Sequence, residues 1–434
     1  MARARKSLAA QIDVAHLIST GVLASVCPRT LIEEVPAETG KASQRERLLP
    51  APAVVYYVMA LALWREAPLE EVLRVVCEGL QWLSDGKAGA VQASKSAISQ
   101  ARSRLGPEAM QQLAQRVLRP LAPPDAPGAW YRGLRVMAVD GSCMEVADEA
   151  ANAAFFGYPA ASRGQSAFPQ ARVLGLVECG THAVVAAGIA PYGRSEIAMA
   201  TDLLPAHLKP DMLALAARNF YSFKLWQATC ATGAKLAWRV KSTLGLPVRK
   251  ALSDGSYLST VFDSADHARA SGQTVRVIDY TLQDSATPTQ ESYRLVTNIL
   301  DPDAAPALEL AALYHERWEI EGVFDELKTH LRSNSTVLRS KTPELVQQEL
   351  WGLLLAHFAI RQLMTQAAWP RGLDPDRLSF THAVRVIKRK LPQAAAVPPL
   401  SACQHGLRRC CRRSPAAAAS AVVVASTLVE SGAK

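Results

Sequence analysis

The sequence of 434 residues lacks the patterns that would place it in a membrane, outside the cell or among nucleotide-driven enzymes. No run approaches the roughly 20 apolar residues that span a bilayer, and the opening MARARKSLAAQIDVAHL has no compact apolar core followed by a cleavage site. Its eight cysteines include no Cys-x-x-Cys pair, which is typical of reduced cytosolic thiols. Phosphate-binding loops, dinucleotide fingerprints and nucleophile elbows are also absent. We therefore expect a cytoplasmic protein that makes no membrane contact.

Basic residues outnumber acidic residues in this sequence. Lys and Arg number 48 against 39 Asp and Glu, which gives a net charge of +9 and a pI near 9.2. Basic side chains cluster after Met1, at Arg385–Lys390 and at Arg408–Arg413. Such clustering favours a polyanionic partner, most often nucleic acid. The neighbouring CQHGLRRCC fits the spacing of no common zinc module, so we interpret its cysteines as incidental to a basic tail.

Periodicity divides the chain into regions of different character. Apolar residues recur at the helix period up to about residue 121, a Pro-rich segment follows, and short apolar runs of strand length then alternate with helical patterns. This order predicts a mixed α/β fold. The predicted regions are a helical domain at 1–122, a linker at 123–133, a mixed α/β domain at 134–370 with a β-rich insertion at about 241–300, and a basic, low-complexity region at 371–434.

One segment of the first region, SKSAISQARSRL, has the features of a DNA-contacting helix. Ser94 is a candidate N-cap, and Lys95, Ser99 and Arg102 share one helix face. A solvated helix face explains the pattern equally well. Contacts from Lys95 and Arg102 to DNA are therefore one of two open interpretations.

The segment YHERWEIEGVFDELKTHLR carries an ordered row of polar side chains. At 100° per residue, a continuous helix aligns Tyr314, Arg317, Glu321 and Lys328 in one stripe beside an apolar arc that includes Ile320. Such a row suits metal and phosphate, since Glu binds cations while Arg and Lys bind phosphate. The alternative is a surface helix with i,i+4 ion pairs such as Arg317 with Glu321.

A second carboxylate with functional potential ends the apolar strand LRVMAVDGSCMEV. Asp140 followed by Gly141 would lie at the mouth of a sheet, where two-metal phosphoryl-transfer sites have a ligand. An Asp that merely begins a turn is the alternative.

Together these residues resemble the DDE transposases of the insertion sequence four family. The family's Tyr-Arg-Glu-Lys signature has the spacing Tyr314-x2-Arg317-x3-Glu321-x6-Lys328, with an Asp-Gly-Ser upstream as at Asp140, and the likeness spans roughly residues 10 to 395. The resemblance implies a ribonuclease-H-like core interrupted by a β insertion. It also implies three carboxylates that bind two Mg²⁺ or Mn²⁺ ions, which activate water and then a DNA 3′ hydroxyl.

The resemblance assigns roles and partners as well. Asp140 and Glu321 match the first and third metal-binding, catalytic carboxylates, whereas Tyr314, Arg317, Lys328 and Arg218 match positions that hold DNA. The implied partners are the double-stranded terminal inverted repeats of a transposon and a target DNA, bound by a homodimer on paired ends at a bacterial nucleoid. A further aromatic, Tyr293, either stacks on a flipped base or is an ordinary sheet tyrosine.

The second carboxylate of the family is missing from this sequence. MLALAARNFYSF places Ala217 directly before Arg218, where the family has Asp. Asp211 lies six residues earlier, about 20 Å away along an extended strand, and should not substitute. We expect cleavage to fall by orders of magnitude, which leaves open a catalytically inactive, DNA-binding derivative that occupies transposon ends as an inhibitor.

Overall fold

The computed structural model describes most of the chain, and the description that follows is confined to residues 21–40, 49–83, 93–124, 126–161, 164–282, 291–331 and 337–388. These residues form two compact units, each assembled from separate parts of the chain. The sheet unit comprises residues 122–143 and 171–324, and the helical unit comprises the described residues of 1–121, 144–170 and 325–434. The domain boundaries given above follow chain order and stay predictions. The basic run Arg408–Arg413 and the cysteines near it lie outside the described residues.

The helices are α1 (Arg29–Glu38), α2 (Ala51–Leu63), α3 (Leu69–Leu83), α4 (Lys95–Val117), α5 (Ala150–Phe156), α6 (Glu196–His207), α7 (Phe223–Cys230), α8 (Ala307–Tyr314), α9 (Glu319–Asp325), α10 (Pro343–Ala368) and α11 (Phe380–Lys388). The strands are β1 (Trp130–Tyr131), β2 (Leu134–Glu145), β3 (Ala160–Ala161), β4 (Gly164–Gln165), β5 (Gln170–Glu178), β6 (Ala183–Pro191), β7 (Met212–Ala216), β8 (Lys235–Arg239), β9 (Lys250–Ala251), β10 (Tyr257–Val261), β11 (Gln273–Leu282) and β12 (Glu291–Thr297). None of these helices is long and apolar enough to cross a bilayer.

A single mixed sheet organises the sheet unit. Its strand order is β6-β5-β2-β7-β8-β12-β11-β10-β9, and β1 pairs with β2. Strands β2, β7 and β8 are parallel neighbours, whereas β5 with β6 and β8 with β12 are antiparallel. The buried run of β7 is apolar throughout, as expected of a strand covered on both faces. The predicted mixed α/β core is confirmed, and the inserted strands β9 to β12 extend the same sheet.

Helices α6 and α7 cover one face of this sheet. Their apolar side chains join those of β2, β7 and β8 in one core, where Trp226 and Trp238 meet edge to face with ring centroids 5.4 Å apart. Ser195 caps the start of helix α6, and its hydroxyl accepts the amide hydrogen of Ala198 at 3.2 Å. This cap fixes the position of Glu196, the first residue of the helix.

The long helix α10 is the centre of the helical unit. It begins after Thr342 with Pro343 at its first position, as the sequence predicts, and most of its residues are buried against α2 and α4. At Gly352 a Cβ atom would lie 2.7 Å from the side chain and carbonyl of Val58, so the glycine permits close packing of the two helices. Helix α4 bends at Gly106, whose φ is 73°.

The prediction of one continuous helix from Tyr314 to Arg332 is wrong. Helix α8 passes into a 3₁₀ turn at His315–Trp318, then into α9, and then into a π turn at Glu326–His330. The Leu331 amide bonds to the Glu326 carbonyl at 2.9 Å, which closes the wide turn. The π turn directs both Glu326 and Leu327 into the core of the helical unit, a placement that a regular helix period does not predict.

Candidate active site

The site begins beside the carboxyl end of β7, halfway along β2. The expectation that Asp140 ends its strand is wrong, because β2 continues past the end of β7 to Glu145. Val139 of β2 is in register with Ala216 of β7, so the residues that follow them, Asp140 and Ala217, lie side by side at this end of the sheet. Asp211 lies at the other end, where its carbonyl accepts the amide hydrogen of Arg135 at 2.8 Å. The expectation that Asp211 is remote from Asp140 is therefore confirmed.

The Asp140 carboxylate is held by two donors in a largely buried position. The Gly141 amide donates to Oδ1 at 2.8 Å and the Arg317 guanidinium donates to Oδ2 at 3.1 Å. Burial raises the pKa of Asp140 above its ordinary value, and these two donors oppose the rise. The side chain still exposes 22% of its surface, so the carboxylate can be reached from solvent.

Arg317 joins Asp140 to the second acid of the site. Its guanidinium contacts Glu321 Oε1 at 3.4 Å and is only 8% exposed, whereas Glu321 is 47% exposed. It also lies 5.9 Å from the ring centre of Tyr314, whose buried hydroxyl donates to the Ala216 carbonyl at 3.4 Å. The 3₁₀ turn thus still brings Tyr314, Arg317 and Glu321 together beside Asp140 of β2 and the end of β7.

This arrangement fits the donor chemistry of a divalent cation in part. One cation, the Arg317 guanidinium, already lies between the Asp140 and Glu321 carboxylates. Hard oxygen ligands of this kind suit Mg²⁺ and Mn²⁺. Beside them, the half-buried Ala217 offers a methyl group in place of a ligand. The site thus holds the two carboxylates Asp140 and Glu321, and their role as metal ligands stays a prediction.

Three of the remaining predicted DNA contacts lie in the helical unit. Lys328 is half-buried in the π turn, and Lys95 is exposed at the start of α4 after the Ser94 cap. Arg102 is not presented to solvent as expected of a DNA-contacting residue: it is buried and donates to Ser340 Oγ at 3.0 Å and the Leu345 carbonyl at 2.8 Å. Arg102 therefore has a structural role, since these bonds join α4 to the start of α10.

Arg218 lines a cavity of about 940 Å³ in the sheet unit. Three further basic side chains, Arg239, Lys241 and Arg294, line it as well. Sequence reasoning missed these three because they are dispersed over β8 and β12 and the segment between them, without a local motif.

Tyr293 is 7% exposed, stacks on Tyr280 at 5.2 Å and lies beneath Arg239 at 4.0 Å. Its contact with a flipped base stays a prediction.

The sequence matches two family models that together cover most of the chain. The insertion element 4 transposase N-terminal region matches residues 17–115, and the transposase DDE domain matches residues 131–359. Escherichia coli K12 transposase InsG for insertion sequence element IS4 is 29% identical over 378 residues, which cover 85% of this chain and 82% of that protein. InsZ of the same strain is 26% identical over 221 residues, 51% of this chain and 71% of that protein.

A solved structure of the piggyBac transposase synaptic complex with hairpin DNA gives a TM-score of 0.39 at 10% identity, covering 96% of this chain and 86% of that one. A TM-score this low does not support a family assignment, which therefore depends on the sequence matches. The DDE domain model alone spans more than half of the chain, from the β1 strand through most of α10. This chain belongs to the IS4 family of DDE transposases.

Proposed function

We propose that this protein binds the ends of a transposon and, with divalent ions bound by Asp140 and Glu321, cleaves DNA phosphodiester bonds and transfers the resulting strand. The observation that carries the proposal is the meeting of both carboxylates on Arg317 beside the carboxyl end of β7. The DDE domain match and the IS4 transposase InsG support it. The protein would work in the bacterial cytoplasm, on nucleoid DNA.

Each residue of the site has a distinct part in this proposal. Bound Mg²⁺ or Mn²⁺ supplies Lewis acidity and lowers the pKa of the attacking water or hydroxyl. Asp140 and Glu321 provide oxygen ligands, and the Arg317 guanidinium neutralises both carboxylates before DNA arrives. Tyr314 holds the end of β7 through the Ala216 carbonyl. Arg317, Arg218, Lys328 and Lys95 then bind phosphates of the DNA backbone.

Ala217 limits this activity. It occupies the strand end beside Asp140 where the second Asp of the family is expected. Loss of one anionic ligand weakens ion binding and misplaces the ion that it would hold, so cleavage should be lower by about 100-fold or more than with Asp at this position. The methyl group leaves the fold of the strand intact, because Ala217 packs against the apolar core of the sheet unit.

A second candidate function follows from the presence of Ala217 where the family has Asp. A derivative that binds DNA without cutting it would occupy transposon ends as a homodimer and exclude active transposases. Ala217 favours this function, because it removes a metal ligand and leaves the basic side chains Arg218, Lys241 and Arg239 in place. The two functions differ in cleavage and agree in DNA binding.

The test is nicking of the element's own end DNA in Mg²⁺ or Mn²⁺, with the chain as it stands compared with Ala217→Asp. We expect nicking to rise by about 100-fold or more in the variant, with similar end binding by fluorescence anisotropy. Asp211→Asn in the Ala217→Asp background is the matched control, since Asp211 lies at the far end of the same strands and should not affect nicking. Equal nicking by both proteins contradicts the role of Ala217, and end binding without nicking by either favours the inhibitor.

A further inference from the structure

His315 links the 3₁₀ turn of the candidate active site to the wall of the cavity of about 940 Å³. It is the first residue of that turn, which also carries Arg317. The imidazole ring lies edge to face against Tyr280, with centroids 6.1 Å apart, and its centroid is 5.7 Å from that of Tyr293. Both tyrosines line the cavity. His315 is half-buried, so the residue remains in contact with solvent.

The hydrogen-bond partner of His315 is neutral. Nε2 of His315 lies 3.4 Å from the hydroxyl oxygen of Tyr280. Among the described residues, no carboxylate forms an ion pair with His315, whereas His182, His330 and His357 each lie within ion-pair distance of one. A proton on the His315 ring would therefore lack a salt bridge until an anion binds from outside the protein.

The charges that face His315 are positive in excess. The groups are Arg239 of β8, Tyr280 of β11, Tyr293 of β12, Tyr314 of α8, and Glu316 and Arg317 of its own turn. Burial lowers the pKa of His315 most, Arg317 and Arg239 lower it further, and Glu316 opposes them. The ring is therefore predominantly neutral near pH 7 when no DNA is bound.

Phosphate binding beside the ring would reverse this balance. Arg317 is a proposed phosphate ligand, and Arg239 lines the cavity and stacks over Tyr293 at 4.0 Å. A phosphate bound by either arginine offsets its positive charge and places negative charge near His315. Both effects favour the protonated ring.

We propose that His315 is a DNA-binding residue, which takes a proton from solvent when DNA phosphates bind beside it and then donates a charge-assisted hydrogen bond to one of them. The proposal rests on the DNA binding proposed above. DNA affinity should then depend on pH. Because the complex holds one proton more than the free protein, affinity should rise as the pH falls from the pKa of His315 in the complex to its lower pKa in the free protein.

The test is the affinity of the full chain for a labelled duplex of the element's end, measured by fluorescence anisotropy in a chelator between about pH 6 and pH 8. His315→Gln retains a polar group that can bond to Tyr280 and cannot become charged. We expect it to bind as tightly as the unchanged chain at about pH 8 and about fivefold to tenfold more weakly at about pH 6. His267→Gln is the matched control, since His267 is exposed in the same unit, and it should change affinity at neither pH.

The outcomes separate this proposal from the function on which it rests. If His315→Gln and the unchanged chain show the same pH dependence, or if the variant is weaker by the same factor at both ends of the range, His315 takes up no proton and the proposal is overturned while DNA binding stands. Calorimetry of the unchanged chain in buffers of different ionisation enthalpy tests the uptake without a variant, and uptake of no proton also overturns it. If the unchanged chain binds no end DNA at any pH, the proposed DNA binding fails as well.

Discussion

Two arginine–carboxylate clusters, one in each unit, use the same chemistry in different surroundings. In the sheet unit Arg317 bridges Asp140 and Glu321, and the Glu321 side chain is 47% exposed. In the helical unit Arg361 and His357 bind Glu326, with Nε of Arg361 2.9 Å and Nε2 of His357 2.7 Å from Glu326 Oε2. There all three side chains are at most 8% exposed.

Solvent exposure decides whether a carboxylate paired with arginine can bind a ligand or only stabilises the fold. A carboxylate whose partners are all buried holds helices together, and its removal leaves an uncompensated charge in the core. A carboxylate that remains accessible can exchange its partner for a metal ion or a phosphate. Glu321 and Glu326 lie five residues apart in one charged segment, so variants at these two positions test the comparison directly.

The largest loss of stability is expected for Glu326→Ala. Arg361 is 2% exposed and would keep its positive charge in the core without its main partner, so the free energy of unfolding should fall by about 3 to 5 kcal/mol. Urea unfolding followed by circular dichroism measures the change. The exposed neighbour Asp325, which pairs with His330 at 2.9 Å, is the control, and Asp325→Ala should change stability by less than about 0.5 kcal/mol. Equal losses at both positions would show that the buried cluster does not stabilise the helical unit.

Whether a contact in these clusters can be predicted from the sequence depends on how far apart its two residues lie along the chain. The spacing Arg317-x3-Glu321 predicts their contact, since the two residues are one helical turn apart, and the resemblance adds Asp140. The burial of Arg102 could not be foreseen, because its partners Ser340 and Leu345 lie more than 200 residues away. On a helical wheel, a charge that faces solvent and a charge that faces another helix are indistinguishable.

The approach of Glu196 to Gly141, where a Cβ atom would lie 2.5 Å from Glu196 Oε1, was unforeseen for a similar reason. It depends on how α6 packs on the sheet and where the Ser195 cap starts that helix, and no local motif records either. The π turn at Glu326–His330 belongs to the same class of features. Within that turn Glu326 is buried and bonded to His357 of α10, whereas the sequence period alone favours a regular helix.

A smaller loss of stability, about 2 to 3 kcal/mol, is expected for Arg102→Ala. The substitution removes donors from Ser340, Leu345 and Gln348 in a buried position and leaves a void between α4 and α10. The exposed Arg104, two residues later on the same helix, is the matched control, and Arg104→Ala should change the free energy of unfolding by less than about 0.5 kcal/mol. If Arg102→Ala folds normally and loses affinity for end DNA, Arg102 contacts DNA after all.

The smallest effect on stability is expected for Glu321→Gln. Because Glu321 is half exposed and 3.4 Å from Arg317, solvent screens the pair and its loss should change the free energy of unfolding by less than about 1 kcal/mol. The same change in the Ala217→Asp background should abolish nicking, since it removes a proposed metal ligand. Urea unfolding and the nicking assay on one preparation measure both. A stability loss as large as that of Glu326→Ala would mean that Glu321 is a structural residue, and the contrast between the accessible and the buried cluster would no longer hold.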